Sequence, residues 1–198
     1  MIRSIFVFII VLAGLHSSGQ SFKSALYFDD PIVIDSASTV IIPTKYSSDW
    51  SKFGSDEYAN IIFYNFKNDT YKRLFEQDTY ILPYDKKRDK EQKIHSSKYL
   101  LLRVKNVDHD KNGKIDDGDP AILYACDLKG ENLKALTTEN ENVLEFTIFD
   151  KQNFALIKIQ RDLNGDRNFK GDDKDYYYVK LDLNSLSMGS KIEIQPMR

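Results

Sequence analysis

Residues 108–119, "DHDKNGKIDDGD", carry five carboxylates, one Asn and two Gly between two apolar runs. Like charges set this close repel unless something positive holds them. Taken as a twelve-position loop, the stretch offers Asp108 at position 1, Asp110 at 3, Asn112 at 5 and Gly113 at 6. It continues with the Lys114 carbonyl at 7, Ile115 at 8, Asp116 at 9 and Asp119 at 12. A hard dication such as Ca²⁺ takes six to eight oxygens in a flexible shell. Alternating side chains supply them as the backbone curls, Gly permits the sharp turn, and an apolar residue at 8 anchors the loop. The bland alternative is a solvated hairpin connection, which needs no such residues at 8 and 12.

The pattern recurs at residues 162–173, "DLNGDRNFKGDD". Here Asp162 stands at position 1, Asn164 at 3, Asp166 at 5, the Asn168 carbonyl at 7, Phe169 at 8 and Asp173 at 12. Arg167 replaces the expected Gly at 6, and Lys170 at 9 leaves a ligand position to water. This second loop is therefore the weaker Ca²⁺ candidate. A third stretch of similar length, "YSSDWSKFGSDEY", keeps Phe53 at 8 and Glu57 at 12 but lacks ligands at 1 and 5. It offers Tyr46, Trp50, Phe53 and Tyr58 instead. Trp50 is either a platform for a protein or glycan partner or an aromatic folded back into the core.

Both acidic loops resemble the EF-hand loop, and Asp at position 12 is similar to the dockerin type. Their flanks read as strands, however, so the helix-opening switch of a regulatory EF-hand is not expected. Catalytic chemistry has few candidates. Beyond residue 19 the His residues are His95, in a charged insertion, and His109, inside the first loop. No His pair has zinc spacing, and no Gly-rich phosphate loop occurs. A carboxylate pair for glycoside hydrolysis stays open, because sequence does not give the separation of two acids.

The elements that hold these loops are strands. β-branched and aromatic residues cluster in short runs broken by Asp, Asn, Gly and Lys, with almost no helical period. Aligning the runs on their turns reveals three copies of one unit. Each copy has an apolar strand ending near Asp35, Asp85 or Asp150 and a second strand, "TVIIPTK", "YLLLRVK" or "FALIKIQ". A long polar loop, a third strand and a short fourth strand complete it. Four antiparallel strands per copy predict an all-β fold of three propeller-like blades. The middle copy is obscured by the insertion "DKKRDKEQKIHS".

"CDLKGENLKALT" followed by "FTIFDKQNFALIKIQ" resembles the WD-like propeller repeats of TolB and its periplasmic relatives. Asp127, Gly130, Leu136 and Thr137 match the D-x-x-G-x-x-x-x-L-T element, and Phe149-Asp150-Lys151 follows the turn that comes after it. Neither Pro nor Gly stands at that turn. The resemblance implies a propeller-like architecture over most of residues 31–194. Closed propellers have four to eight blades, so three units imply an additional part-blade, an open arc, or two chains completing one ring.

Arg3 followed by "IFVFIIVLAGL", with Ser17 and Gly19 before Gln20, reads as a signal peptide over residues 1–19. An uncleaved anchor is the alternative. No Cys follows the run, so lipid attachment is not expected. The mature chain, residues 20–198, is then a single domain exported to the periplasm or beyond. The whole chain has 28 basic and 30 acidic residues, a net charge of −2 that becomes −3 without Arg3. Basic and acidic residues interleave throughout, which argues against nucleic-acid or anionic-lipid surfaces. Cys126 is the single cysteine, so no intramolecular disulfide can form, and its apolar setting marks a core residue rather than a nucleophile. The leading expectation is an exported Ca²⁺-binding module with structural calcium. A carbohydrate-active hydrolase using Trp50 at a sugar subsite, and a partner-dependent subunit related to TolB-like propellers, are the alternatives.

Overall fold

The computed structural model describes residues 26–47, 57–82, 96–171 and 174–194. The expected leader, the segment with Trp50 and Phe53, the insertion with Asp85 and His95, and Asp173 lie outside the described residues. The fold is all-β and antiparallel. A first unit comprises β1 (Leu26–Phe28), β2 (Ile32–Ile34), β3 (Thr39–Tyr46), β4 (Tyr58–Asn65) and β5 (Thr70–Arg73). A second comprises β6 (Tyr80–Leu82), β7 (Tyr99–Lys105), β8 (Ile122–Asp127) and β9 (Lys134–Ala135). The third comprises β10 (Glu141–Phe149), β11 (Phe154–Arg161), β12 (Tyr176–Asp182) and β13 (Ser187–Glu193).

Each unit is a four-stranded meander, as the repeat predicts. In the first unit β1 prolongs β2 along the same edge of β3. Register repeats as well: Thr39 faces Asn65, Tyr99 faces Asp127 and Phe154 faces Asp182. The first two units join into one nine-stranded sheet through the pair Tyr58 and Ile81. Equivalent backbone bonds link successive units. The Thr79 N–H donates to the Ala59 carbonyl, and the Val143 N–H donates to the Ala121 carbonyl, each at 2.9 Å.

Packing explains why "YLLLRVK" is apolar without alternation. Leu100, Leu102, Val104 and Cys126 bury one face of the second unit with Ile41, Ile61 and Phe63 of the first. Leu101, Leu123 and Ala125 bury the opposite face with Ala155, Ile157, Val179 and Leu181 of the third. A sheet covered on both sides needs apolar residues in both phases of the strand. Burial of each Leu, Ile, Val or Phe side chain among them stabilises the fold by about 1.5–3 kcal/mol. Ile32, Ile81 and Phe146, from the first strands of the three units, line one apolar cavity of about 20 Å³. The fourth strands β5, β9 and β13 are mostly exposed. First strands thus converge and last strands lie outside, a propeller-like arrangement of three blades.

The turns between first and second strands also repeat. Asp35–Ala37 and Asp150–Gln152 each form a single 3-10 turn, followed by Ser38 at φ 54° and Asn153 at φ 55°. The left-handed place that Gly would take is filled by residues whose short polar side chains make it tolerable. Gly130 is needed for a different reason. It has φ +73°, and an added Cβ would lie 2.5 Å from the Phe63 ring of the first unit.

Candidate metal centre

The loop 108–119 leaves β7 and returns to β8, and its first residue sets its shape. The Asp108 carboxylate accepts N–H bonds from Asn112 at 3.1 Å and Gly113 at 2.9 Å. Asn112 Oδ1 accepts the Lys114 N–H at 2.9 Å. Two residues take left-handed backbone conformations, Lys111 at φ 61° and Gly113 at φ 85°. Carboxylate oxygens of Asp108, Asp110 and Asp119 come within 4.8 Å of one another. Oxygens about one Ca²⁺ lie 2.3–2.6 Å from it, so ligands on opposite sides are roughly 5 Å apart. The trio could hold a metal ion.

Asp119 is the deepest member, with 0% exposure. Its two oxygens accept the backbone N–H groups of His109 at 2.7 Å and Asp116 at 2.8 Å, so it ties the start of the loop to its end. Each oxygen keeps acceptor capacity beyond those bonds. Asp116 stands beside the trio. Its carboxyl is held below the usual range by the Gly118 N–H, then by Asn112 and the charges of Lys170 and Lys105, against a smaller opposing effect of burial. The Asn112 amide donates to Asp110 at 3.0 Å and to Asp116 at 3.3 Å.

Residues 162–171 repeat much of this geometry in the third unit. Asp162 accepts N–H bonds from Gly165 at 2.7 Å and Arg167 at 2.9 Å. Asp166 Oδ1 accepts the Asn168 N–H at 2.8 Å, as Asn112 accepts that of Lys114. Positions 4 and 6 are again left-handed, with Gly165 at φ 74° and Arg167 at φ 65°. Arg167 therefore adopts the conformation expected of the Gly it replaces. Asn164 Oδ1 accepts the Asp166 N–H at 2.9 Å. Position 12, Asp173, lies outside the described residues, so the ligand set of this loop is seen only from Asp162 to Asn168.

The structure brings the two loops together, which spacing alone does not announce. The Phe169 N–H donates to the Gly118 carbonyl at 2.8 Å, and Asn168 Nδ2 donates to Asp110 at 3.3 Å. The rings of His109 and Phe169 stack at 6.2 Å. Beneath them Asn142 accepts the Ala121 N–H and donates to Gln160, each at 2.8 Å, while Gln160 donates to the Phe169 carbonyl at 3.1 Å. Asn142 and Gln160 are buried; together they fasten the end of one loop to the middle of the other.

Lys105 is a further residue that motif reading misses. It is buried, and its Nζ donates to the carbonyls of Asp116 at 2.9 Å, Asp117 at 3.3 Å and Asp119 at 2.7 Å. Burial draws its pKa down, against the raising effect of the loop carboxylates. The available signal is the repeat itself. Register makes Lys45, Lys105 and Gln160 equivalent, and all three are buried polar side chains at the end of a second strand. In the first unit Lys45 pairs with Asp29 at 3.0 Å. Tyr46 is turned toward the second unit, its hydroxyl donating to the Thr79 carbonyl at 3.1 Å and its ring stacked on Tyr80 at 5.2 Å. Glu57 and Tyr58 are buried.

No protein family, characterised protein or solved structure matches the chain.

Proposed function

We propose that this is an exported calcium-binding β-protein, in which Ca²⁺ at Asp108–Asp119 and Asp162–Asp173 is structural, and that it serves as a binding or scaffolding module. The observation that carries the reading is the convergence of Asp108, Asp110 and Asp119 oxygens within 4.8 Å, inside a loop whose hydrogen bonds are repeated in the next unit. Oxygen-only donors of this number suit a hard dication and offer nothing to a soft metal. Asp108, Asp110, Asn112, Asp116, Asp119 and the Lys114 carbonyl would hold the ion in the first loop. Asp162, Asn164, Asp166, Asp173 and the Asn168 carbonyl would hold it in the second. The bound charge neutralises clustered carboxylates and draws neighbouring strands together in a chain without disulfides. Repetition of the blade-like unit supports kinship of architecture with TolB-like propellers, and a protein or glycan partner is assigned to the segment from Tyr46 to Phe53.

The test is thermal melting in chelator and again in millimolar Ca²⁺, beside Asp108→Ala and Asp162→Ala. A ligand at 100 times its dissociation constant adds about 2.7 kcal/mol, a shift of roughly 5–11 °C for a chain of this size. Each substitution should reduce that shift. Identical melting with and without Ca²⁺ would reduce both loops to solvated turns.

A further inference from the structure

The positions of the two outer sheet faces of the three-unit stack align by register with those of its interior interfaces, with Lys180 on the third unit standing where Phe63 and Ala125 stand inside. Shared register aligns Ile41, Ile61 and Phe63 of the first unit with Leu101, Leu123 and Ala125 of the second and with Leu156, Tyr178 and Lys180 of the third. The first two sets are buried against the unit that follows. Among the described residues no unit packs on the third set: Leu156 is partly exposed, Tyr178 is 37% exposed and Lys180 is exposed. The opposite faces align in the same way. Leu100, Leu102 and Cys126, like Ala155, Ile157 and Leu181, are buried against the unit that precedes. Their counterparts in the first unit are Val40, Ile42 and Tyr64, which are partly exposed, and among the described residues no unit packs on them.

Linking positions continue the series. Ala59 and Ala121 accept the backbone bond from the next unit, and register places Tyr176, 38% exposed, at the same point of β12. Val143 donates that bond seven residues before Asp150, and Phe28 stands seven residues before Asp35. Val143 is 1% exposed, whereas Phe28 is 70% exposed. Arg103 reaches from the second unit to the Leu144 carbonyl of the third, and its counterpart on the outer face is Lys158.

From this continuity we infer that a second copy of the chain covers both faces: the third unit of each copy packs on the first unit of the other. The interface is heterologous in its two surfaces and closes by a twofold axis into a ring of six units, within the four to eight that closed propellers use. A second copy is the occupant that the pattern favours, because one chain carries both halves of the repeated interface. The proposal does not depend on calcium.

Protein purified from cells expressing the full chain would be examined by sedimentation and light scattering across the micromolar range, beside Phe28→Lys and Tyr178→Lys. Both substituted side chains are exposed, and unchanged melting of each variant in its monomeric form would verify its fold. The expected result is a dimer that each substitution weakens at least about tenfold, one order of magnitude in dissociation constant. An equimolar mixture of the two variants should regain dimers, since one of its two interfaces then joins intact faces. The wild-type series needs no variant: a monomer up to about 200 μM, an affinity too weak for a closed ring, overturns the proposal. Dimers lost through one substitution alone, or mixtures that stay monomeric, overturn the two-face arrangement. Assemblies larger than two chains overturn closure.

Discussion

The Phe169 N–H donates to the Gly118 carbonyl at 2.8 Å, joining position 8 of one acidic loop to position 11 of the other. Gly118 also leaves room for Asn168, since a Cβ there would lie 2.9 Å from its amide nitrogen. Gly118→Ala should therefore displace the Asn168 side chain and break its bond to Asp110, while the flexible amide spares the backbone. Loss of one hydrogen bond corresponds to about 0.5–1.5 kcal/mol, or a melting temperature lower by roughly 1–6 °C for a chain of this size. If the loops act on each other through this contact, the Ca²⁺-dependent shift of both should shrink. Calorimetric titration that leaves both affinities unchanged would show that the contact is only packing.

Arg167 and Gly113 hold the same loop position with φ 65° and φ 85°. A left-handed L-residue costs about 1–2 kcal/mol, and Gly adds about 0.5–1 kcal/mol of unfolded-state entropy. Arg167→Gly should thus stabilise the protein by up to about 1 kcal/mol, and Gly113→Ala should destabilise it by a similar amount. Denaturant midpoints measure both, and a loss of stability in Arg167→Gly would mean that its side chain contributes more than the strain it imposes.

Lys105 supports the first loop through three carbonyl oxygens that a shorter or apolar side chain leaves without that donor. Lys105→Met retains the stem and removes the ammonium, leaving a buried carbonyl end that costs about 1–3 kcal/mol for each group left unsatisfied. The expected outcome is a lower melting temperature together with a weaker Ca²⁺ response of the first loop. A variant that melts normally would show that water replaces the ammonium.

Much of this architecture is legible in the residues. The repeat, the four strands of each unit and their turns follow from apolar runs and Asp-rich breaks, because strands covered by neighbouring sheets retain β-branched and aromatic residues. Asp108, Asp110, Asn112 and Gly113 announce their loop by spacing, and the local hydrogen bonds are those that spacing dictates. The pairing of loops is not legible, because Gly118, Asn168 and Phe169 meet only when two units stack, and no local pattern encodes that distance. Lys105 and Gln160 are hidden for another reason. A polar residue at a strand end reads as solvated until the equivalence of Lys45, Lys105 and Gln160 is seen, and that equivalence needs the register of three separate hairpins.

Three acids whose pKa burial raises set the expected alkaline limit of the fold. Burial, followed by the charge of Asp127, pushes the Cys126 thiol up to about 12. Tyr46 and Tyr177 are likewise raised, first by burial and then by neighbouring groups, Tyr80 for the former and Glu141 for the latter. A group with a raised folded pKa contributes stability that is complete below its unfolded pKa and is lost as pH climbs toward the folded value. Unfolded Cys and Tyr ionise near pH 8.5–10, so stability should fall from about pH 9 upward. Lys105, whose pKa is lowered, acts in the opposite sense but is one group against three. Denaturation midpoints at pH 7, 9 and 10.5 should decrease in that order, and Cys126→Ala should flatten the decline. At pH 8 the native thiol should resist a neutral alkylating reagent by about three orders of magnitude relative to the denatured chain, since each pKa unit is a factor of ten in thiolate. Equal labelling rates in the native and denatured states would place Cys126 at an accessible surface and contradict its position between the first and second units.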